Sequence, residues 1–250
     1  MKKLGTGDHA VVCLHGWYGH ADGWGYLPEV VDTDSFTWYF PEMRGFGLRR
    51  GAEGPFTMWQ YAKDALAEAD AEGLGRFSVL GHSMGGKAAA ALVAQAPDRV
   101  RALVGLSAVW PGPVPMDESS EDLFFGAPGN PENRFGIIDF TTGGVAGRSW
   151  VAGMVADSLA TSDEAAFAGA VESWVRDDYR EQFGRLPVPA LFLTGSLDPA
   201  LSAEGARQTW LTLADDAEVR ELPCGHYATH EAPVALAAAI EGFLGSEAVQ

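Results

Sequence analysis

The sequence predicts an α/β fold whose sheet is mostly parallel and is covered by helices on both faces. Two observations lead to this prediction. Short apolar runs alternate with helical patterns along most of the 250 residues, which is typical of parallel sheets. One strand-to-helix transition, at residues 81–86, also contains a serine in a Gly-x-Ser-x-Gly spacing, which is typical of a sharp turn at a sheet edge. A chain of this length can bury one large core and hold an inserted segment.

Six apolar runs are predicted to be strands. They cover residues 10–14, 36–40, 76–80, 101–106, 189–194 and 217–222. Few residues precede the first of them, so any hairpin at the start of the chain is short or missing.

Capping signals predict the helices that separate these strands. Thr57 and Gln60 have the spacing of a capping box, and Gly73 is suited to the end of the same helix. Pro97 ends the helix that follows the serine turn. Helices are therefore expected from 58 to about 73, from 84 to before 97, and from 233 to 244.

Residues 109–186 interrupt this alternation. A crossover between neighbouring parallel strands needs only about a dozen residues, so the extra length predicts an inserted lid over the carboxyl edge of the sheet. Its first half, to residue 147, is rich in Pro, Gly, Asn and Asp, and residues 149–183 predict one or two amphipathic helices. The expected division is a core of residues 1–108 and 187–250 and a lid of residues 109–186.

Ser83 is the candidate nucleophile. An apolar run precedes its turn and an alanine-rich run follows it. Gly81 and Gly85 lack side chains, which lets the strand and the helix pass close together at the turn. The hydroxyl is therefore expected at the carboxyl edge of the sheet, beside a helix N-terminus where negative charge is stabilised.

A second turn follows the first predicted strand and reads His15-Gly16-Trp17. Such a turn can direct a backbone N–H into a cleft. The N–H groups of Trp17 and of Met84, the residue after the serine, are the predicted oxyanion hole. The alternative interpretation is an ordinary turn that buries Trp17 in the core.

Two further polar residues follow predicted strands. Asp198 comes after the strand that ends at residue 194, and His226 comes after the strand that ends at residue 222. Each is a common loop residue by itself. Together with Ser83 they make the chain order serine, aspartate, histidine, which is one of three orders known for this triad.

At this point the chain resembles the α/β-hydrolase superfamily, from residue 15 to about 244. The motifs that carry the resemblance are His15-Gly16-Trp17, Gly81-His82-Ser83-Met84-Gly85-Gly86, Gly195 to Asp198, Gly225-His226, and the loop Pro41 to Gly47. That loop usually reads Asp-x-Arg-Gly-x-Gly, and here Glu42 replaces the aspartate. The branch that it most resembles is the small serine esterases. The resemblance implies that the lid is inserted between the sixth and seventh family strands.

The expected function is hydrolysis of a carboxylic ester, lactone or thioester through an acyl-enzyme. Ser83 would attack, His226 would act as base and then acid, and Asp198 would orient the imidazole. His230 is an alternative base, whereas His82 is expected to be packed and His15 to brace its own loop. Tyr18, Trp110 and Trp150 are candidate pocket residues, which suggests a small, largely apolar substrate.

Other functions remain open from the sequence alone. A carbon–carbon bond hydrolase or a perhydrolase would use the same triad, and transfer of the acyl group to an alcohol would too. A small-molecule receptor of this fold is the alternative outside the enzymes. The oligomeric state is not predicted.

Composition narrows the partners and the compartment. The net charge is −17, from 17 basic and 34 acidic residues, which argues against binding to nucleic acid or to an anionic membrane surface. No metal-binding or nucleotide-binding motif is found, so no metal and no cofactor are expected. Cys13 and Cys224 are expected to be buried thiols. Without a signal-peptide pattern or a membrane-spanning run, a cytoplasmic location is expected.

Overall fold

A seven-stranded sheet runs through the centre of the computed structural model, which describes residues 1–249. The strands, in spatial order, are β1 (Lys2–Gly5), β3 (Phe36–Phe40), β2 (His9–Leu14), β4 (Phe77–His82), β5 (Val100–Leu106), β6 (Ala190–Gly195) and β7 (Ala217–Leu222). β1 pairs antiparallel with β3, and the other neighbours are parallel. The predicted sheet is therefore confirmed, and the start of the chain supplies a short edge strand.

The helices fill the connections between these strands. They are α1 (Leu27–Val30), α2 (Met58–Ala71), α3 (Met84–Gln95), α4 (Glu118–Phe125), α5 (Pro131–Thr141), α6 (Arg148–Thr161), α7 (Glu164–Arg176), α8 (Arg180–Phe183), α9 (Ala203–Thr209), α10 (Ala228–Glu231) and α11 (Pro233–Leu244). Short 3₁₀ turns cover Gly47–Arg49, Pro97–Arg99 and Trp210–Thr212.

Local sequence signals explain where α2 begins and ends. The Thr57 hydroxyl accepts a hydrogen bond from the backbone N–H of Gln60 at 3.2 Å. The Gln60 side chain donates to Asp64, so only half of the predicted capping box forms. Gly73 has a φ of +70°, and its N–H donates to the carbonyl of Asp70. The predicted end of the helix is thus close to the observed one.

Two apolar layers enclose the sheet, one on each face. Val11, Trp38 and Val104 pack beneath α11 on one face, together with Leu236 and Ile240 of that helix. The opposite face packs against α2, α3 and helices of the segment between β5 and β6. Both Cys13 and Cys224 are free and buried, as the sequence predicts.

Five helices, α4 to α8, lie between β5 and β6. The predicted helices after residue 149 correspond to α6, α7 and the short α8. Helices α4 and α5 were not predicted from the sequence. Asp117 caps α4 by accepting from Ser120 N–H, and Asn130 caps α5 by accepting from Glu132 N–H. These two N-cap residues were the signals that could have located both helices.

Within residues 1–249, no helix has the length and apolar character that crossing a membrane requires.

Candidate active site

Ser83 occupies a strained turn between β4 and α3. Its φ of 55° and ψ of −120° lie outside the common regions for a residue with a side chain. A Cβ on Gly81 would lie 2.3 Å from the carbonyl oxygen of Gly85, and one on Gly85 would lie 2.2 Å from that of Leu14. The close approach that the sequence predicted at this turn is therefore present. Strain of about 1–3 kcal/mol at such a residue is typical of functional sites.

His226 and Asp198 form a buried pair. The Nδ1 atom of the imidazole donates to Oδ2 of the carboxylate at 2.7 Å, which leaves Nε2 as the acceptor nitrogen. The other carboxylate oxygen accepts from the N–H groups of Ala200 and Leu201, at 2.9 and 3.2 Å. Burial alone would raise the pKa of Asp198, but His226 and these two donors outweigh burial and lower it. The carboxylate is therefore held ionised and in a fixed orientation.

The topology brings these residues together. β4, β6 and β7 are parallel strands, so Ser83, Asp198 and His226 all follow strands at the same edge of the sheet. Ser83 and His226 also line the same two spaces above that edge. No hydrogen bond joins their side chains in the described part of the chain, and catalytic contacts of this kind often tighten only when substrate binds.

Two backbone N–H groups near the turn have no acceptor in the part of the chain that the structure describes. Among residues 1–249, neither the N–H of Trp17 nor that of Met84 makes a hydrogen bond. Gly16, beside Trp17, lies close to Ser83, since a Cβ on this glycine would contact the serine Cβ at 3.2 Å. The Trp17 ring stacks on Phe167 at 4.1 Å, and its Nε1 donates to the Phe167 carbonyl, so helix α7 fixes this loop.

His15 braces the same loop, as predicted. Its Nδ1 donates to the carbonyl of Gly16 at 2.9 Å, and its Nε2 accepts from the N–H of Met43 at 3.3 Å. Burial lowers the pKa of His15 to about 4, so the ring is neutral. The hydrogen bonds therefore agree with a single tautomer.

Glu42 occupies the position where the family pattern has aspartate, and its side chain binds two backbone N–H groups. Its carboxylate accepts from the N–H groups of Ala21 and Leu48, at 2.9 and 3.2 Å. Oε1 also lies 3.6 Å from Nε2 of His15. The longer side chain thus ties two loops together, and burial raises its pKa.

His82 has a contact that the sequence did not predict. Its Nε2 donates to the backbone carbonyl of His226 at 3.0 Å, and the two rings lie 5.0 Å apart. Burial lowers the pKa of His82 to about 3, so this ring is neutral. His82 is therefore packed, as expected, and it also holds the His226 backbone. Its position directly before Ser83 was the available signal.

The alternative base, His230, packs among aromatic rings and does not contact Asp198 through a hydrogen bond. Its ring packs on Trp150 at 5.5 Å and on Tyr26 at 6.1 Å. The Asp198 carboxylate accepts from His226 and not from this residue. The geometry thus favours His226 as the base.

Two spaces of different size flank Ser83 and His226. The larger one, called the apolar cavity, has a volume of about 220 Å³ and is lined by Tyr18, Phe124, Ile137 and Trp174 among others. The smaller one, called the polar crevice, holds about 20 Å³ and includes His82, Thr229 and His230. The crevice has room for one water molecule or a group of similar size. Among residues 1–249, no Lys, Arg, Asp or Glu side chain lines either space.

The three candidate pocket residues take different positions. Tyr18 lines both the apolar cavity and the polar crevice. Trp110 lines a neighbouring cavity. Trp150 packs its ring on Tyr227 and His230, behind the crevice wall.

A family model of the alpha/beta hydrolase fold matches residues 9–233. The chain belongs to the α/β hydrolases. The resemblance that the sequence motifs indicated is therefore confirmed at the level of this family, while the Gly-His-Ser-Met-Gly-Gly branch stays a prediction.

Comparison with known proteins agrees with this assignment. The pimeloyl-[acyl-carrier protein] methyl ester esterase of Klebsiella pneumoniae is 28% identical over 213 residues, covering 79% of this chain and 78% of that protein. The corresponding Citrobacter koseri esterase is 29% identical over 210 residues, covering 78% and 77%. These esterase relatives support the predicted class of the chain, a carboxylic ester hydrolase.

Solved structures share the fold across almost the whole chain. A bromoperoxidase from Bacillus anthracis has a TM-score of 0.84 at 19% identity, covering 98% of this chain and 94% of that one. A hydrolase from Oleispira antarctica has a TM-score of 0.85 at 19% identity, with the same coverage. Similarity at this level of identity supports the α/β-hydrolase fold alone.

Proposed function

We propose that the protein is a serine-dependent hydrolase of carboxylic esters whose acyl group is apolar and uncharged and whose alcohol is small. The observation that carries the proposal is the buried Asp198–His226 pair beside Ser83, at the meeting point of the apolar cavity and the polar crevice. A serine hydroxyl needs an adjacent base to attack at neutral pH, and this pair can supply one.

The reaction has two steps. Ser83 Oγ attacks the ester carbon while Nε2 of His226 takes the hydroxyl proton. His226 then gives that proton to the departing alcohol, and Asp198 stabilises the imidazolium in between. Water, activated by the same nitrogen, cleaves the acyl-enzyme and releases the acid.

The free N–H groups of Trp17 and Met84 are the proposed oxyanion hole. They are the groups that would stabilise the negative charge on the carbonyl oxygen in both steps, each contributing about 3 kcal/mol to the transition state. The bracing of the Trp17 loop by His15 and Phe167 supports this role, because preorganised donors need no rearrangement during the reaction.

The unequal spaces support the proposed substrate shape. The apolar cavity would hold the acyl group, and the crevice of about 20 Å³ leaves room for little more than methanol or water. The relatives' names describe a methyl ester, which is consistent with a small alcohol. The uncharged lining of the cavity would disfavour an acyl chain that ends in a second carboxylate, because burying that charge without a partner is costly.

We also propose that residues 109–186 act as the lid over a core of 1–108 and 187–250. Phe124, Ile137 and Trp174 of this segment line the apolar cavity. The segment carries 13 acidic and 5 basic residues, which would repel a strongly anionic carrier. The proposal needs no cofactor.

Hydrolysis of methyl esters tests the function directly. Methyl butanoate, methyl octanoate and monomethyl octanedioate would be compared by release of acid, with the octanoate expected to be cleaved best and the octanedioate at least about 10-fold less well. A fluorophosphonate probe followed by peptide mass spectrometry should label Ser83. Labelling at another residue, or no labelling of folded protein, would contradict the proposed nucleophile.

The same assays separate the alternatives. Labelled protein that cleaves no ester would favour a carbon–carbon bond hydrolase. Tight ligand binding without labelling would favour a receptor.

A further inference from the structure

A second cavity of about 220 Å³ lies beside the apolar cavity. Trp110, Phe192 and Trp210 form much of its lining, and α9 closes it through Gly205 and Ala206. The Phe192 ring stacks on the Trp210 ring at 4.6 Å. One side of the cavity is therefore a packed pair of aromatic rings, and Trp110 completes the lining from the loop that follows β5.

A shared wall lies between the two cavities. Val114, Pro115, Ala200 and Leu201 line both of them. The backbone N–H of Leu201 donates to Asp198 and that of Val114 donates to the carbonyl of Val175 at 2.8 Å. Since both backbones are held, the side chains of the wall decide whether the cavities connect.

The chemistry of the second cavity is apolar with a single free hydroxyl. Thr194 is 2% exposed, and its Oγ1 has no partner among residues 1–249. Thr194 and Phe192 are two apart on β6, so both side chains lie on the same face of the sheet. The hydroxyls of Ser202 and Thr209 already have backbone partners. No charged residue of the described chain lines this cavity.

We propose that the second cavity binds the far end of acyl chains too long for the apolar cavity, and that Leu201 is the gate between the two. This proposal rests on the proposed function. The bound segment would be apolar, with at most one uncharged hydrogen-bonding group, for which the Thr194 hydroxyl is available. Each additional methylene buried there adds apolar surface removed from water, so the cavity extends the preference toward longer chains.

Filling the second cavity tests this directly. Ala206 lines it from α9 and does not line the apolar cavity. In Ala206→Leu, the ratio of kcat/KM for methyl dodecanoate over methyl butanoate should fall about 10-fold, which corresponds to about 1.4 kcal/mol. If this variant does not fold, Ala206→Val is the smaller step, with a smaller fall in the same ratio.

Opening the gate is the complementary change. Leu201→Ala should raise the dodecanoate-to-butanoate ratio, and Ala206→Leu should cancel that rise in the double variant. Met116 lines only the apolar cavity, so Met116→Ala is the matched control. Its effect on the ratio should add to that of Ala206→Leu without coupling.

A binding measurement separates this proposal from the proposed function. Dodecan-2-one would be titrated into Ser83→Ala protein, with and without Ala206→Leu, and followed by tryptophan fluorescence. About 10-fold weaker binding with Ala206→Leu would support the cavity even if no ester is cleaved. If esters are cleaved but neither the chain-length ratio nor ketone binding responds to Ala206→Leu, the proposal is overturned.

Discussion

The carboxyl edge of the sheet and the inserted segment 109–186 approach the same serine with opposite chemistry. The sheet edge presents polar groups in fixed hydrogen bonds, such as the Asp198–His226 pair and the carbonyl contact of His82. The inserted segment presents mainly apolar side chains to the cavity, including Phe124 and Trp174, and none of its charged side chains lines that cavity. Changes at the sheet edge should therefore affect every substrate, whereas changes in the inserted segment should affect the choice among substrates.

The largest expected effect is at Ser83. Ser83→Ala should lower kcat for all esters by about 10⁶-fold, because the nucleophile is lost, while binding remains. The assay is methyl octanoate hydrolysis, with circular dichroism to establish folding.

Ser107→Ala is the matched control for that change. Ser107 also has a positive φ at a strand end and is buried, and its hydroxyl has no partner among residues 1–249. Its substitution should leave kcat within about 3-fold. Equal losses in the two variants would argue against Ser83 as the nucleophile.

The next effect is at Asp198. Asp198→Asn should lower kcat by about 10⁴-fold or somewhat less, because an amide can hold the imidazole in the wrong tautomer. Asp177→Asn, in the inserted segment, removes a carboxylate that accepts from Ser173 and Tyr179. It should change kcat little, so a comparable loss in both variants would remove the contrast between the two regions.

Phe124→Ala tests the inserted segment. Removing this ring from the apolar cavity should lower the octanoate-to-butanoate ratio of kcat/KM by about 10-fold, since a single methylene in an apolar pocket contributes on the order of 1–3 kcal/mol to such discrimination. Phe125→Ala is the control, because Phe125 packs under Arg176 and does not line the cavity. A uniform loss on both esters in Phe124→Ala would contradict a role in selectivity.

The smallest effect is at Lys87, where the two regions are joined. Its Nζ donates to the carbonyls of Trp174 and Asp177, at 2.9 and 2.6 Å, and burial lowers its pKa to about 8. In the unfolded protein Lys87 has its ordinary pKa of 10.5. Between pH 8 and pH 10.5 the unfolded protein therefore binds more protons than the folded protein, so the free energy of unfolding should rise with pH in this window.

Lys87→Met removes that titration. The free energy of unfolding would be measured by urea denaturation at pH 7 and pH 9. From the lower to the higher pH, its value for the wild type should rise by about 1 kcal/mol relative to its value for the variant. A difference that does not change with pH would mean that the buried amine does not titrate in this window.

The sequence alone predicts those features of the protein whose signal is local. Thr57 and Gly73 mark the ends of α2 because capping involves residues only three or four apart. The spacing of glycines around Ser83 predicts the turn because only glycine avoids the backbone contacts there. The order of the three polar residues after strands then predicts their meeting, since parallel strands end at one edge.

The cavities and their lining follow only from the tertiary structure, because they depend on contacts between residues that are distant in the chain. The wall shared by two cavities joins residues 114 and 115 to 200 and 201. Trp110, a candidate pocket residue, lines the second cavity and not the cavity that contains Ser83. No sequence pattern specifies such placements, since the volume left between packed side chains depends on every element around it.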